Sequence, residues 1–214
     1  RNQLALDNLA SELGLPASQV MTLALDVTHR EACFEAVEAA KRKFGHIDTL
    51  VNNAGVYRSK PFLDYTAHDF QDMLDVNFFG VLHFTQACLP SMQQQQRGSI
   101  INIASIAGLG AGSTHSPGYS ATKAGVISLT KTTALDVAGA NIYVNAIACG
   151  GVLTPPFESY LASASEAQTN SLYQQVPSGR LGRPEEYANV AVFLAAQDHY
   201  LVGQVISPNG GFVI

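Results

Sequence analysis

The sequence predicts an α/β protein built on a doubly wound parallel sheet. Three observations carry that expectation. Helical and extended periodicities alternate along the chain, the extended segments are nearly continuous apolar runs, and small or polar residues follow each run. Strands without an inside–outside alternation of their own are buried on both faces, as in a parallel sheet covered by helices. In open sheets of this class, ligands bind at the carboxyl ends of the strands. Function is therefore to be sought at Asp26-Val27, Asn52-Asn53-Ala54-Gly55, Ser105 and Cys149-Gly150-Gly151.

The elements follow in order. Leu4, Leu6, Leu9, Leu13 and Leu15 recur at a roughly helical period, and Gly14 and Pro16 end that stretch. Val20 to Leu25 reads as a buried strand ending at Asp26. A helix is predicted from about His29 to Phe44, with Phe34, Val37, Ala40 and Phe44 on one side and Gly45 as its stop. Ile47 to Val51 is a short second strand. A long helix follows Asp64 and runs through Phe70, Leu74, Phe78 and Leu82 to Met92. Ser99 to Ile103 is a third strand, about Tyr119 to Ala138 a helix, and Ile142 to Ile147 a fourth strand. Pro184 to Ala195 suits a helix with proline at its start. Val205-Ile206 makes a last short strand before Asn209-Gly210-Gly211. The stretch from Val152 to Gly179 is the least regular and reads as a mobile flap over a site.

A length of 214 residues predicts one domain, spanning 1–214. Hydrophobic residues make up 47% and charged residues 14%, enough for a sizeable core and too little charge for a disordered chain. A net charge of −5 offers nothing to nucleic acid or an anionic membrane. No apolar run is long enough to span a bilayer, and no signal-peptide pattern opens the chain. The first residue is Arg1 rather than Met, so a longer gene product is expected. Cys33, Cys88 and Cys149 form no close pair, which fits reduced thiols in a cytoplasm. The scattered histidines show no ligand spacing, so no catalytic metal is expected.

Chemistry concentrates on a few residues. Tyr119 and Lys123 stand at i and i+4, which shares a helix face; among the eight tyrosines only Tyr119 has a lysine so placed. Alone, the pair fits a solvated helix face equally well. Ser105 closes the strand before that helix, fourteen positions upstream of Tyr119. Asn77 lies amid aromatics inside the long helix, where a buried asparagine must find partners; a helix-to-loop hydrogen bond is one way to do so. Asn52-Asn53-Ala54-Gly55 also suits an ordinary turn, and Asp26 also suits a cap for the helix that follows. His115, in the Gly-rich loop before Tyr119, lines a cleft or simply sits on the surface.

In their order and spacing, Asp26-Val27, Asn52-Asn53-Ala54-Gly55, Asn77, Ser105, Tyr119-x-x-x-Lys123 and Gly210-Gly211 resemble the short-chain dehydrogenase/reductase family over nearly the whole chain. The resemblance implies a Rossmann-like fold and an NAD(P)-dependent oxidoreductase interconverting a secondary alcohol and a ketone. Tyr119 would be the general acid/base, Lys123 would lower its pKa and hold the nicotinamide ribose, and Ser105 would fix the substrate oxygen. Asn77 would hold a water linking Lys123 to solvent. Asp26 would bind the adenine amino group with Val27 beside it. Asn53, Ala54 and Gly55 would admit the adenosine ribose, and Val152 and Thr154 would contact the carboxamide. The substrate would be a 3-oxoacyl thioester, a sugar or polyol, or a cyclic ketone. Leu153, Phe157, Tyr160, Leu161 and Tyr173 in the flap lean toward a neutral, partly apolar one. A homo-oligomer, dimer or tetramer, is implied, through residues 66–92 and 119–138 and the last strand; Phe78, Phe79 and Phe84 suit burial on more than one side of their helix.

The sequence departs from the family in three places. The Gly-rich turn TGxxxGxG that offers backbone N–H groups to a pyrophosphate has no counterpart in residues 1–214. The resemblance implies that it, the first βαβ portion and the residue choosing NAD or NADP lie upstream of Arg1, cleaved or left out of this sequence. A truncated, cofactor-poor relative serving as a non-catalytic subunit or binding scaffold is the competing expectation. Cys149-Gly150-Gly151 stands where the family has Pro-Gly and a larger residue, with a buried, inert thiol as the plain reading of Cys149. Asn209 stands before the glycines where Asp is common.

Overall fold

The computed structural model describes residues 2–110 and 116–213, apart from the side chains of residues 156 and 160. The expectations for Arg1, His115 and the Tyr160 side chain fall outside the described residues. Strands β1 (Thr49–Asn52), β2 (Gly98–Ser105), β3 (Ile142–Cys149) and β4 (Val205–Ile206) form one parallel sheet in the order β1-β2-β3-β4. The helices are α1 (Gln3–Leu13), α2 (Arg30–Phe44), α3 (Ala67–Leu74), α4 (Gly80–Gln95), α5 (Pro117–Val137), α6 (Pro155–Ser163), α7 (Glu166–Gln174) and α8 (Pro184–Ala195).

Alternation along the strands sorts the core into two layers. Ile100 and Ala104 of β2, with Val144, Ala146 and Ala148 of β3, pack under α4 and α5 against Val81, Cys88, Met92, Val126 and Ala134. Ile101 and Ile147 point the other way and pack under Leu194 of α8. Successive side chains leave a strand on opposite faces, so these apolar runs cover both layers at once. No described helix is long and apolar enough to cross a membrane.

A chain of buried amides and hydroxyls crosses the sheet. Asn52 Nδ2 donates to Thr85 Oγ1 (3.3 Å) and Asn102 Oδ1 (2.9 Å), and Asn102 Nδ2 donates to Thr130 Oγ1 (2.9 Å). It ties β1 and β2 to α4 and α5 just below the carboxyl ends of the strands. Asn102→Ala removes the middle of this chain at a site 1% exposed. It should lower stability by about 2 kcal/mol, readable as a lower urea midpoint with an unchanged slope.

The structure corrects the reading in three places. Val20–Leu25 is not a strand. A strand needs a ladder with a neighbouring one, and the four strands of the sheet form their ladders with one another. The Lys43 ammonium instead donates to the carbonyls of Ala17 (2.6 Å) and Val20 (2.8 Å). The long helix, which follows Asp64 as expected, opens at Thr66, whose side chain forms a capping box with Asp69. That helix is not uniform: Asp75–Phe79 is a π turn between α3 and α4. The flap holds two regular helices, α6 and α7, the second capped by a Ser165–Gln168 box. Around the long helix, Phe78 and Phe84 pack against the core while Phe79 is 37% exposed.

Candidate active site

Tyr119 and Lys123 sit in the first turns of α5, which Pro117 opens. Two glycines set how closely that helix is held. A Cβ on Gly118 would stand 2.4 Å from Met73 Cε of α3. One on Gly108, in the turn after β2, would stand 2.7 Å from the Lys123 carbonyl carbon. Only a residue without a side chain lets the turn behind Ser105 lie on the α5 backbone, and this contact brings Ser105 to Tyr119 and Lys123. The Ser105 side chain lies close enough to the Tyr119 phenol to act on its titration. Ser105 Oγ also accepts from Ala107 N at 3.2 Å. Tyr57 presents its ring edge-on to Tyr119, centroids 5.2 Å apart.

Lys123 is 4% exposed and donates to Ile103 O at 2.6 Å, with Nζ 5.7 Å from the centre of the Tyr119 ring. Burial lowers its pKa to about 8, although nearby Cys149 pulls the other way. Tyr119 shifts upward. Burial is the largest cause, Ser105 opposes it, and Cys149 and Tyr57 add to it. Lys123 is not among the causes of that shift, and burial sets its direction. Sharing a helix face places the two groups near each other, but the ammonium turns to a strand carbonyl and withdrawal from water dominates the phenol. The phenol is held protonated, the state of a proton donor.

Asn77 lies in the π turn and is 0% exposed. Its Oδ1 accepts from Val56 N (2.7 Å), and its Nδ2 donates to Val56 O (2.9 Å) and Thr122 Oγ1 (3.2 Å). It makes the helix-to-loop bond and anchors the loop after β1 next to Lys123. A Cβ on Gly55 would stand 3.5 Å from Asn77 Oδ1 and 3.8 Å from Lys123 Nζ, so the bare glycine leaves a notch between these two polar groups.

The other predicted residues gather along the same sheet edge. Val27, Asn53 and Ala54 line a cleft of about 110 Å³, together with Val76 and Gly80. Asp26 does not cap α2; its Oδ1 accepts from Thr28 N (3.0 Å) and Thr28 Oγ1 (2.9 Å). Val27 O is met by His83 Nδ1 at 3.1 Å and Cys33 Sγ at 3.4 Å. Cys149 is the strand partner of Ser105, and burial pushes its thiol up to about 11, so it stays protonated and unreactive at neutral pH. Val152 bridges Gly182, and Thr154 O accepts from Glu158 N at 2.8 Å at the start of α6. Sequence reasoning missed Tyr57 and Thr122. Tyr57 was signalled by its place in the loop after a strand, two residues beyond Gly55.

Set against known proteins, the chain has many counterparts. A family profile described as enoyl-(acyl carrier protein) reductase matches residues 1–213. The chain is 42% identical over 211 residues to the 3-oxoacyl-[acyl-carrier-protein] reductase FabG of Thermotoga maritima, covering 98% of this chain and 83% of that protein. It is 37% identical over 187 residues to the acetoacetyl-CoA reductase of Rhizobium meliloti, covering 87% and 76%. The solved structure of ElxO with NADP bound superposes with a TM-score of 0.90 at 32% identity, covering 96% of this chain and 83% of that one.

Proposed function

The chain belongs to the short-chain dehydrogenase/reductase family of NAD(P)-dependent oxidoreductases, and from that membership we propose that it reduces a 3-oxoacyl thioester to the 3-hydroxy thioester with NADPH, Tyr119 giving the proton. Ser105 and Tyr119 brought together beside a buried Lys123 carry this reading. The substrate class follows the reductases of 3-oxoacyl and acetoacetyl thioesters that the chain resembles. The nucleotide follows ElxO, solved with NADP and, as a variant, with NADPH. A keto group suits the site, because a phenol and a hydroxyl together serve an oxygen that gains negative charge.

The residues present fit the cofactor. The Lys123 ammonium, with one N–H on Ile103 O, keeps two that would hold the nicotinamide ribose hydroxyls. Asp26 and Val27 would meet the adenine, Asn53, Ala54 and Gly55 the adenosine ribose, and Val152 and Thr154 the carboxamide. When bound, the cofactor supplies the hydride. The protein does the rest. Ser105 fixes the carbonyl oxygen, and Tyr119 passes its proton to that oxygen as charge develops there. Lys123 stabilises the phenolate left behind. Asn77 holds the loop and a water through which Lys123 regains a proton from solvent.

The protein would act in the cytoplasm as a homo-oligomer. Val192 is 69%, Phe193 51% and Tyr200 98% exposed beside the last strand, apolar surface that a second copy would cover. No observation favours the non-catalytic subunit. The test is nicotinamide absorbance with the full-length protein, NADPH and acetoacetyl-CoA. Ketone-dependent oxidation of NADPH is expected, with no oxidation when crotonyl-CoA replaces the ketone. Absence of ketone-dependent oxidation with both NADPH and NADH would sink the proposal.

A further inference from the structure

We infer that Tyr187 is a positioning residue that pins the loop after β3 so that it can receive the nicotinamide; this rests on the dehydrogenase reading above. The loop is intrinsically loose. It runs Cys149-Gly150-Gly151, two adjacent glycines with no proline to stiffen them, and leads directly into Val152 and Thr154. Its order must come from contacts elsewhere, and the structure supplies them from the first turn of α8. Gly151 O accepts two hydrogen bonds, from Gly182 N at 2.9 Å and from the Tyr187 phenol at 3.1 Å. Leu153 N donates to Gly182 O at 2.8 Å, which completes the parallel bridge of Val152 with Gly182.

Packing around this staple is tight enough to require glycine on both sides. A Cβ on Gly151 would stand 2.5 Å from Leu181 Cδ2, and one on Gly182 would stand 2.5 Å from the Tyr187 hydroxyl. The start of α8 is itself fixed. Arg180 forms a paired contact with Glu186 at 2.8 and 2.7 Å, and Glu186 Oε2 accepts from Arg183 N at 2.7 Å. Tyr187 therefore reaches the loop from a held base. Burial pushes its phenol up to about 12, so it remains a donor across the neutral range.

The experiment uses the full-length protein with Tyr187→Phe, which keeps the ring and removes only the hydroxyl. NADPH binding is read by nucleotide fluorescence without ketone, next to kcat, both KM values and the melting temperature. The expected result is NADPH binding weaker by about fivefold, with kcat and ketone KM unchanged and the melting temperature lower by only a few degrees, the size of one internal hydrogen bond. Gly182→Ala, which must displace the Tyr187 ring, should reproduce the selective loss of NADPH affinity. Unchanged NADPH affinity in Tyr187→Phe overturns the inference, as does a parallel fall in kcat, affinity and melting temperature. If the wild type binds neither NADPH nor NADH, it is the dehydrogenase reading that fails, and the positioning role with it.

Discussion

Tyr119→Phe should reduce turnover by a factor of about 10² to 10⁴ while NADPH still binds. The change removes one oxygen and leaves the ring. The edge-on contact with Tyr57 at 5.2 Å survives, and so does the Ala107 N–H bond that orients Ser105. The lost atom is the one the carbonyl oxygen needs as charge develops on it. Ser105 remains and still holds that oxygen, so some turnover persists through water. The checks are steady-state kinetics and a nucleotide titration on the same sample. Turnover within threefold of wild type would remove Tyr119 from the mechanism.

Lys123→Met should abolish turnover, weaken NADPH binding and make the protein more stable at neutral pH. The first two follow from losing the cation beside Tyr119 and the donor for the ribose. The third follows from linkage. The folded pKa of Lys123 is lowered from the ordinary 10.5 to about 8. Between those values the unfolded chain binds more protons than the folded one, so wild-type stability rises with pH there. Below about 8 the full cost of a buried ammonium is felt, on the order of 3 kcal/mol. Methionine fills similar space without that cost. It forfeits the hydrogen bond to Ile103 O, about 1 kcal/mol, leaving a net gain of about 2 kcal/mol. Urea unfolding at neutral pH should show the gain, and the same comparison above pH 10.5 should show it gone. A variant less stable than wild type at neutral pH would mean that the Ile103 contact outweighs the burial cost. In the wild type, reductive turnover should fall as pH rises through about 8, where Lys123 loses its charge.

Much of the fold was legible because its signals are local. Proline at the start of α8 and apolar continuity in β2 and β3 each depend on a few neighbouring residues. What failed depends on distant partners. Val20–Leu25 has a strand's composition, but composition records burial and not a neighbour to pair with. Asn77 was identifiable as a buried amide in need of partners, whereas the partners, Val56 and Thr122, are brought to it only by the fold. Helix α7 was missed although Ser165 and Gln168 spell its capping box, because the surrounding polar residues read as loop. That Ser105, Tyr119 and Lys123 come together was recoverable from order and spacing. The direction of the Tyr119 shift was not, since it depends on how much water the fold removes.

The central claim is that Tyr119 and Ser105 together meet the substrate's keto oxygen. It is tested most directly by a crystal structure of the Tyr119→Phe protein with NADPH and a 3-oxoacyl thioester, a complex that cannot turn over efficiently. The keto oxygen should lie about 3 Å from Ser105 Oγ, against the edge of the ring at position 119. A thioester seated with that oxygen turned away from Ser105, toward groups outside this cleft, would contradict the account.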